Sequence, residues 1–202
     1  NFNTKGSAVT SFTYGGGSGY TNGAYGADAA YLGMTDDGKV RFMLSGVTGT
    51  VNASEVQVVE YAAVSDHVSY YAVSGGKLIH YISQDLNKLP VSFINNGTAP
   101  SYLNEGVKYY SYDGHYFYTD YAVMLSDYQN NTNGQNAVNA GNAFYNFFQF
   151  KNMREATKYS GEELNVMLQS AMSAAGVDTA SSKLSGTGLS FVKYQNVYSV
   201  NA

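Results

Sequence analysis

The stretch KYYSYDGHYFYTDYAVMLSDY, residues 108–128, decides the class of fold because the period of the chain changes inside it. Val107 to Tyr112 and His115 to Tyr118 read as paired strands. Asp113-Gly114 between them supplies the positive φ angles of a two-residue type I′ loop. Beyond Asp120, Tyr121 to Tyr128 reads as a short helix. Strands before this point and helices after it predict an α+β chain.

Upstream, Val68 to Val73, a Ser74-Gly75-Gly76 turn and Lys77 to Ile82 repeat the same hairpin pattern. Neither hairpin buries enough apolar area alone, so each is expected to pack on a neighbour. Short strands are predicted from Ala29 to Met34, Lys39 to Leu44 and Glu55 to Tyr61, with a turn at Asp36-Asp37-Gly38 and a bend at Gly46 and Gly49. The alternation of Val40, Phe42 and Leu44 against Lys39, Arg41 and Met43 predicts one buried face and one wetter face. These strands suit a small SH3-like barrel. The Gly/Ser/Thr-rich start, with Gly15-Gly16-Gly17 in its middle, reads as a flexible leader or an irregular first loop. The expected divisions are therefore a leader at 1–20, a barrel at 21–62, a hairpin module at 63–99 and a mainly helical domain from 100 to 202.

Downstream, an Asn-rich loop from Gln129 to Asn142 precedes an aromatic cluster at Phe144 to Phe150. A helix is predicted from Gly161 to Ala175. Ser160 stands at its N-cap, Glu163 completes a capping box, Leu164, Met167, Leu168, Ala171 and Met172 fall at helical spacing, and Gly176 ends it. A last helix spans about Gly188 to Tyr198, with Leu189, Val192 and Gln195 on one side and Phe191 and Tyr194 on another.

Composition narrows the function classes. The 202 residues include 20 Tyr and 10 Phe beside only 13% charged residues, which excludes disorder as the main state. A net charge of −4 without basic clusters argues against a nucleic-acid partner. The lack of cysteine removes disulfides, thiol nucleophiles and Cys-ligated zinc. No run approaches the roughly 18 apolar residues of a membrane span, and Asn1 to Ser7 lacks a charged-then-apolar signal pattern.

Few residues read as catalytic. His67, His80 and His115 show no short metal-ligand spacing, and Asp113 beside His115 is explained by its turn. A glycosidase needs a carboxylic acid placed to protonate the leaving oxygen. Glu162 and Glu163 instead suit a helix N-terminus, Asp36 and Asp37 suit a turn, and Glu55, Glu60 and Glu105 fall at strand ends or loops. No nucleophile elbow or phosphate loop is present. The sequons at Asn52, Asn96 and Asn130 have meaning only in a eukaryotic secretory route. The richest feature is the set of hairpin tyrosines, Tyr70, Tyr71, Tyr81, Tyr109, Tyr110, Tyr112, Tyr116 and Tyr118. Cross-strand core packing accounts for part of them. The rest suit stacking on sugar C–H faces, with phenol groups meeting sugar hydroxyls.

Two phrases, KYYSYDGHYFYTDYAVMLSDYQNN from Lys108 and NAFYNFFQFKNMREATKYSGEEL ending at Leu164, resemble the opening of the glucosaminidase domain of bacterial peptidoglycan hydrolases, glycoside hydrolase family 73. SGTGLSFVKYQNVYSVNA, Ser185 to Ala202, is similar to that family's next helix. Thr21 to Tyr61 resembles the SH3-like module of Gram-positive autolysins, and Val68 to Ser83 looks like the small linking β-module. The resemblance implies a secreted or cell-surface endo-β-N-acetylglucosaminidase with a lysozyme-like domain, acting on the N-acetylglucosamine to N-acetylmuramic acid bond of peptidoglycan. In that family the catalytic Glu follows the Val-Asn-Ala phrase, and no Glu here matches it, so no catalytic residue is carried over. The chain is accordingly expected to be inactive alone and to associate with the C-terminal remainder of the same domain. Apolar surface is then expected near Phe144, Phe147 and Phe191. The family's Arg is matched by Arg154, although Lys151-Asn152-Met153 replaces the usual Leu-Pro before it. The residues expected to contact glycan are Tyr112, Tyr116, Tyr118, Phe148 and Arg154, with no metal and no cofactor. Two further readings are a non-catalytic wall-binding module and a structural surface-layer subunit.

Overall fold

The computed structural model describes residues 2–4, 10–21, 28–145 and 156–198. The chain forms two compact units, Asn1–Asn146 and Phe147–Ala202, so the division falls inside the segment expected from 100 to 202.

The first unit opens with β1 (Phe2–Thr4), β2 (Thr10–Tyr14), β3 (Gly17–Thr21), β4 (Asp28–Met34), β5 (Lys39–Leu44), β6 (Val47–Asn52) and β7 (Val56–Val58). These make one sheet in the order β3-β2-β6-β5-β4-β1-β7, every pairing antiparallel. No closed barrel is found among the described residues. The expected leader in fact contributes strands. Tyr14 pairs with Gly17 around a two-residue turn, and Gly16 supplies its positive φ of 91°. Phe12 lies across Gly19, where a Cβ would stand 2.7 Å from the ring, and meets Phe42 edge-on at 5.1 Å. The glycines that read as flexibility are thus where the backbone turns and where a ring packs flat on a strand.

Ala29, Val40, Phe42, Val51 and Val56 form the core of one face. On the other face Lys39 and Arg41 are half-exposed as expected, but Met43 is buried. Ala30, Leu32 and Met43 join a second core with Val64, Val68, Tyr110, Tyr112, Tyr118, Tyr121, Met124 and Tyr128. Elements arriving later in the chain cover that face, which alternation within β5 does not reveal.

After the short helix α1 (Tyr61–Val64), a second antiparallel sheet follows: β8 (Tyr70–Ser74), β9 (Lys77–Ile82), β10 (Ser92–Thr98) and β11 (Lys108–Tyr109), in the order β10-β9-β8-β11. The two-residue turn with positive φ at both central positions lies here, at Gly75 (55°) and Gly76 (71°). Asp113-Gly114 does not form the expected type I′ turn, because only Gly114 has positive φ. Tyr110 and Tyr118 exchange backbone hydrogen bonds of 2.7 and 3.0 Å, leaving residues 111–117 as a wide loop. The buried Asp113 carboxylate fills that loop and accepts from Ser111 Oγ (3.0 Å), His115 N (2.8 Å) and Tyr116 N (3.0 Å).

Helix α2 (Tyr121–Gln129) is capped by Asp120, whose carboxylate accepts from Ala122 N and Val123 N. It buries Tyr121, Met124 and Tyr128, one helical face, against the tyrosine core.

In the second unit, α3 (Gly161–Ala174) carries the expected capping box: Ser160 Oγ accepts from Glu163 N (3.2 Å) and Glu163 accepts from Ser160 N (2.7 Å). Gly176 follows with φ of 70°. Helix α4 (Gly188–Tyr198) meets it through glycine, since a Cβ on Gly188 would collide with the Gly161 carbonyl. Gly188 N donates to Asn165 Oδ1 at 2.7 Å, and buried Gln195 accepts from Thr157 N at 2.7 Å. Met167, Leu189, Phe191 and Tyr194 are exposed, so the pair leaves an apolar outer surface that includes the expected Phe191. Phe144, by contrast, is half-buried against the core of Tyr71, Leu78 and Phe117. Phe147 lies outside the described residues. Among the described residues, no helix is long and apolar enough to cross a membrane.

Candidate functional site

The Asn-rich segment after α2 folds back on the 111–117 loop that carries Tyr116. Val138 N donates to Phe117 O (2.8 Å), Phe144 N to His115 O (2.8 Å), and buried Asn139 clamps the pair by accepting from Phe117 N and donating to His115 O and Asn142 O. An open cleft of about 390 Å³ results, lined by Tyr116, Asn131, Thr132, Asn133, Gly134, Gln135, Ala140 and Gly141.

Asp127 holds the wall of this cleft from beneath. Its buried carboxylate accepts from Asn136 N (2.9 Å), Asn136 Nδ2 (2.7 Å) and Tyr118 OH (3.0 Å), while Thr132 N donates to the Asp127 carbonyl (2.9 Å). Burial raises its pKa, but the hydrogen bonds from Asn136, Tyr118 and Thr132 outweigh that and hold it below the ordinary value. It is an anchored anion rather than an available acid. Tyr118 OH also accepts from Gly134 N at 2.7 Å. Gly134 has φ of 84°, and its α-carbon lies so close to Tyr116 that a Cβ would strike the ring. Asn131 sits in the left-handed region at φ 56°, which asparagine tolerates, and its Oδ1 accepts from Arg41 at 3.4 Å.

The lining holds an aromatic ring, amides and a hydroxyl and carries no formal charge. Such a set offers donors and acceptors to neutral hydroxyl and acetamido groups beside a ring for C–H faces.

The sequence-predicted contact residues separate in the structure. Tyr116 is half-buried at the cleft. Tyr112 and Tyr118 are core residues, 5% and 1% exposed, and present no ring face to a ligand. Tyr112 OH donates to buried Asp28 at 2.6 Å, and Asp28 also accepts from Ser69 N (2.8 Å) and Ser69 Oγ (2.5 Å). Burial, then the Asp28 charge, pushes the Tyr112 phenol well above its ordinary pKa. Tyr118 is likewise raised, by burial first and by its bond to Asp127. The correction has one cause: both hydroxyls are needed by carboxylates that the fold buries. Phe148 and Arg154 lie outside the described residues. Asn131, Asn133, Gly134 and Gln135 also line the cleft, although in the sequence the run NNTNGQN reads as a polar loop with a sequon at its start and carries no binding signal.

Five of the described carboxylates are engaged in the fold: Asp28, Asp113 and Asp127 are buried and hydrogen-bonded, Glu163 caps α3, and Glu105 accepts from Gly75 N at 2.6 Å. His67 Nδ1 bonds to Leu86 O, His115 Nδ1 to Phe144 O, and His80 stacks on Tyr71 at 4.1 Å. No metal-binding cluster of His and acidic residues occurs among the described residues.

No family model matches the chain. It is 27% identical over 168 residues, 83% of its length, to two Streptococcus pneumoniae proteins, from serotype 4 (strain ATCC BAA-334 / TIGR4) and strain ATCC BAA-255 / R6, each named "Putative endo-beta-N-acetylglucosaminidase". The matched region is 20% and 19% of those proteins, so the chain spans about a fifth of the length of the curated relatives it matches. A distant relationship to glycan-cleaving enzymes is the conclusion these similarities support.

Proposed function

We propose that this chain is the glycan-engaging part of a secreted cell-wall hydrolase of the endo-β-N-acetylglucosaminidase type, acting on N-acetylglucosaminyl bonds in peptidoglycan. The observation that carries this is the similarity along 83% of the chain to two proteins bearing that enzyme name. The Tyr116 cleft supports it: neutral amides and one ring match the hydroxyl and acetamido chemistry of such a glycan. The chain's SH3-like and glycoside hydrolase family 73 resemblance is part of the same reading. No carboxylate lines the Tyr116 cleft, so bond cleavage is assigned to residues outside it.

The test combines sedimentation of the chain with purified peptidoglycan and mass spectrometry of the soluble fragments. The expected result is binding by the chain alone, weakened by Tyr116→Ala, without release of fragments ending in reducing N-acetylglucosamine. Failure to sediment with peptidoglycan overturns the reading. Release by the chain alone overturns the assignment of the acid elsewhere. Two other readings have distinct outcomes: a non-catalytic wall-binding module binds glycan without releasing product, and a structural surface-layer subunit self-assembles in an ordered way without any glycan.

A further inference from the structure

The second sheet has faces of different character. One buries Tyr71, Val73, Leu78 and Tyr109. The register Tyr70↔Tyr81, Ala72↔Ile79, Ser74↔Lys77 and Tyr81↔Phe93 places Tyr70, Tyr81, Phe93 and Lys77 together on the other. Three rings there follow one another across β8, β9 and β10. Tyr70 and Tyr81 stack nearly parallel at 4.7 Å, whereas Phe93 stands 6.2 Å from Tyr81 and is turned by 48°. From the opposite flank, on β11, the Lys108 ammonium lies over the Tyr70 ring at 4.9 Å.

Stacking and the cation thus occupy the faces of Tyr70, and Tyr81 shares one face with it. Phe93, at the sheet edge and 63% exposed, turns away from the stack. Tyr70 and Tyr81 are half-buried, Tyr70 packing against the core that holds Tyr110 and Tyr121. Charge adds a second constraint. Strands β8 to β11 carry Lys77 and Lys108 and no Asp or Glu, in a chain whose net charge is −4. Lys108 pairs with Asp66 at 3.3 Å, but both groups are exposed, and such a pair is weak enough to exchange for another carboxylate.

We propose that this face is a second glycan-contact surface, separate from the Tyr116 cleft, for a glycan strand that bears carboxylates along its length. A pyranose C–H face lies on Phe93, sugar hydroxyls meet the Tyr70 and Tyr81 phenols, and a carboxylate replaces Asp66 at Lys108. This inference rests on the glycan reading above and adds to it the site and the anionic character of the ligand.

The test is sedimentation of the 202-residue chain with peptidoglycan sacculi, beside binding to an uncharged chitin oligosaccharide, for wild type, Phe93→Leu, Phe93→Ala and Lys108→Met. Phe93→Leu keeps an apolar edge while removing the ring, so it separates stacking from folding. Both Phe93 variants are expected to bind sacculi about fivefold more weakly, the size of one aromatic contact. Lys108→Met is expected to weaken sacculus binding and flatten its salt dependence, with chitin binding unchanged. Wild-type binding that all three variants retain overturns this inference and leaves the functional reading standing. No wild-type binding to sacculi overturns both. A Phe93 variant that changes the oligomeric state in ultracentrifugation without changing binding assigns the face to a second copy of the chain and overturns the proposal.

Discussion

Replacing Asp127 by Ala should destabilise the first unit and dismantle the Tyr116 cleft together. The native carboxylate accepts from Asn136 N at 2.9 Å, Asn136 Nδ2 at 2.7 Å and Tyr118 OH at 3.0 Å, within a residue only 2% exposed. Removing it leaves the Asn136 N–H and the Tyr118 hydroxyl without that acceptor. Each buried orphan costs about 1–3 kcal/mol, and the side-chain amide of exposed Asn136 can turn to water, so the total is about 3 kcal/mol. For a folded unit of this size that corresponds to a fall of roughly 6–12 °C in melting temperature. Asp127→Asn, which keeps the shape and one acceptor oxygen, should lose about half as much.

The same carboxylate gives a pH signature. Its native pKa is lowered, so the native state favours the ionised form. The stabilisation is therefore complete above the unfolded value, about pH 4, and disappears as pH falls through the lower native value. Thermal melts of wild type and Asp127→Ala between pH 7 and pH 2, paired with titration of an N-acetylglucosamine oligomer, check both links. A variant melting within about 1 °C of wild type at pH 7, or one that keeps wild-type affinity for the oligomer, would refute the view that this anion builds the cleft.

Gly134→Ala should distort the cleft with a smaller stability loss, about 1–3 kcal/mol, because alanine must adopt φ of 84° and its methyl meets the Tyr116 ring; melting and oligomer titration read the two effects separately. Tyr112→Phe should cost about 1–3 kcal/mol through the lost bond to buried Asp28 while leaving glycan binding unchanged, the reverse of Tyr116→Ala. His80 is held neutral by burial, with its pKa pushed down to about 4. The unfolded chain takes up that proton near pH 6.5, so His80 makes stability fall as pH drops from about 6.5 to 4. His80→Phe should flatten that limb of the melting curve, and an unchanged limb would show that another group causes it.

Features set by neighbours along the chain were legible in the residues. The Ser160–Glu163 capping box, the Gly176 stop, the α2 helix after Asp120 and the Gly75-Gly76 hairpin turn all depend on a few residues within one or two turns, and the structure contains each of them. The helix limits at Gly161 and Gly188 follow for the same reason. Features that depend on distant partners were not legible. Asp113-Gly114 reads as a tight turn, yet the Asp113 side chain is drawn into bonds with Ser111, His115 and Tyr116, and the loop widens. Met43 reads as the wetter side of a strand until Tyr110, Tyr112 and Tyr121 arrive to cover it.

The tyrosines show the boundary most clearly. Composition alone determined that this chain packs with rings and hydroxyls rather than with charges, and that some rings would remain for a surface. Which rings those are was decided only in three dimensions. Tyr112 and Tyr118 are withdrawn into the core because Asp28 and Asp127, one of them 84 residues away, are buried and require donors, while Tyr116, Tyr81 and Phe93 keep access to solvent. A buried carboxylate claims whichever hydroxyls the fold brings to it, and the spacing of residues along the chain does not record that meeting.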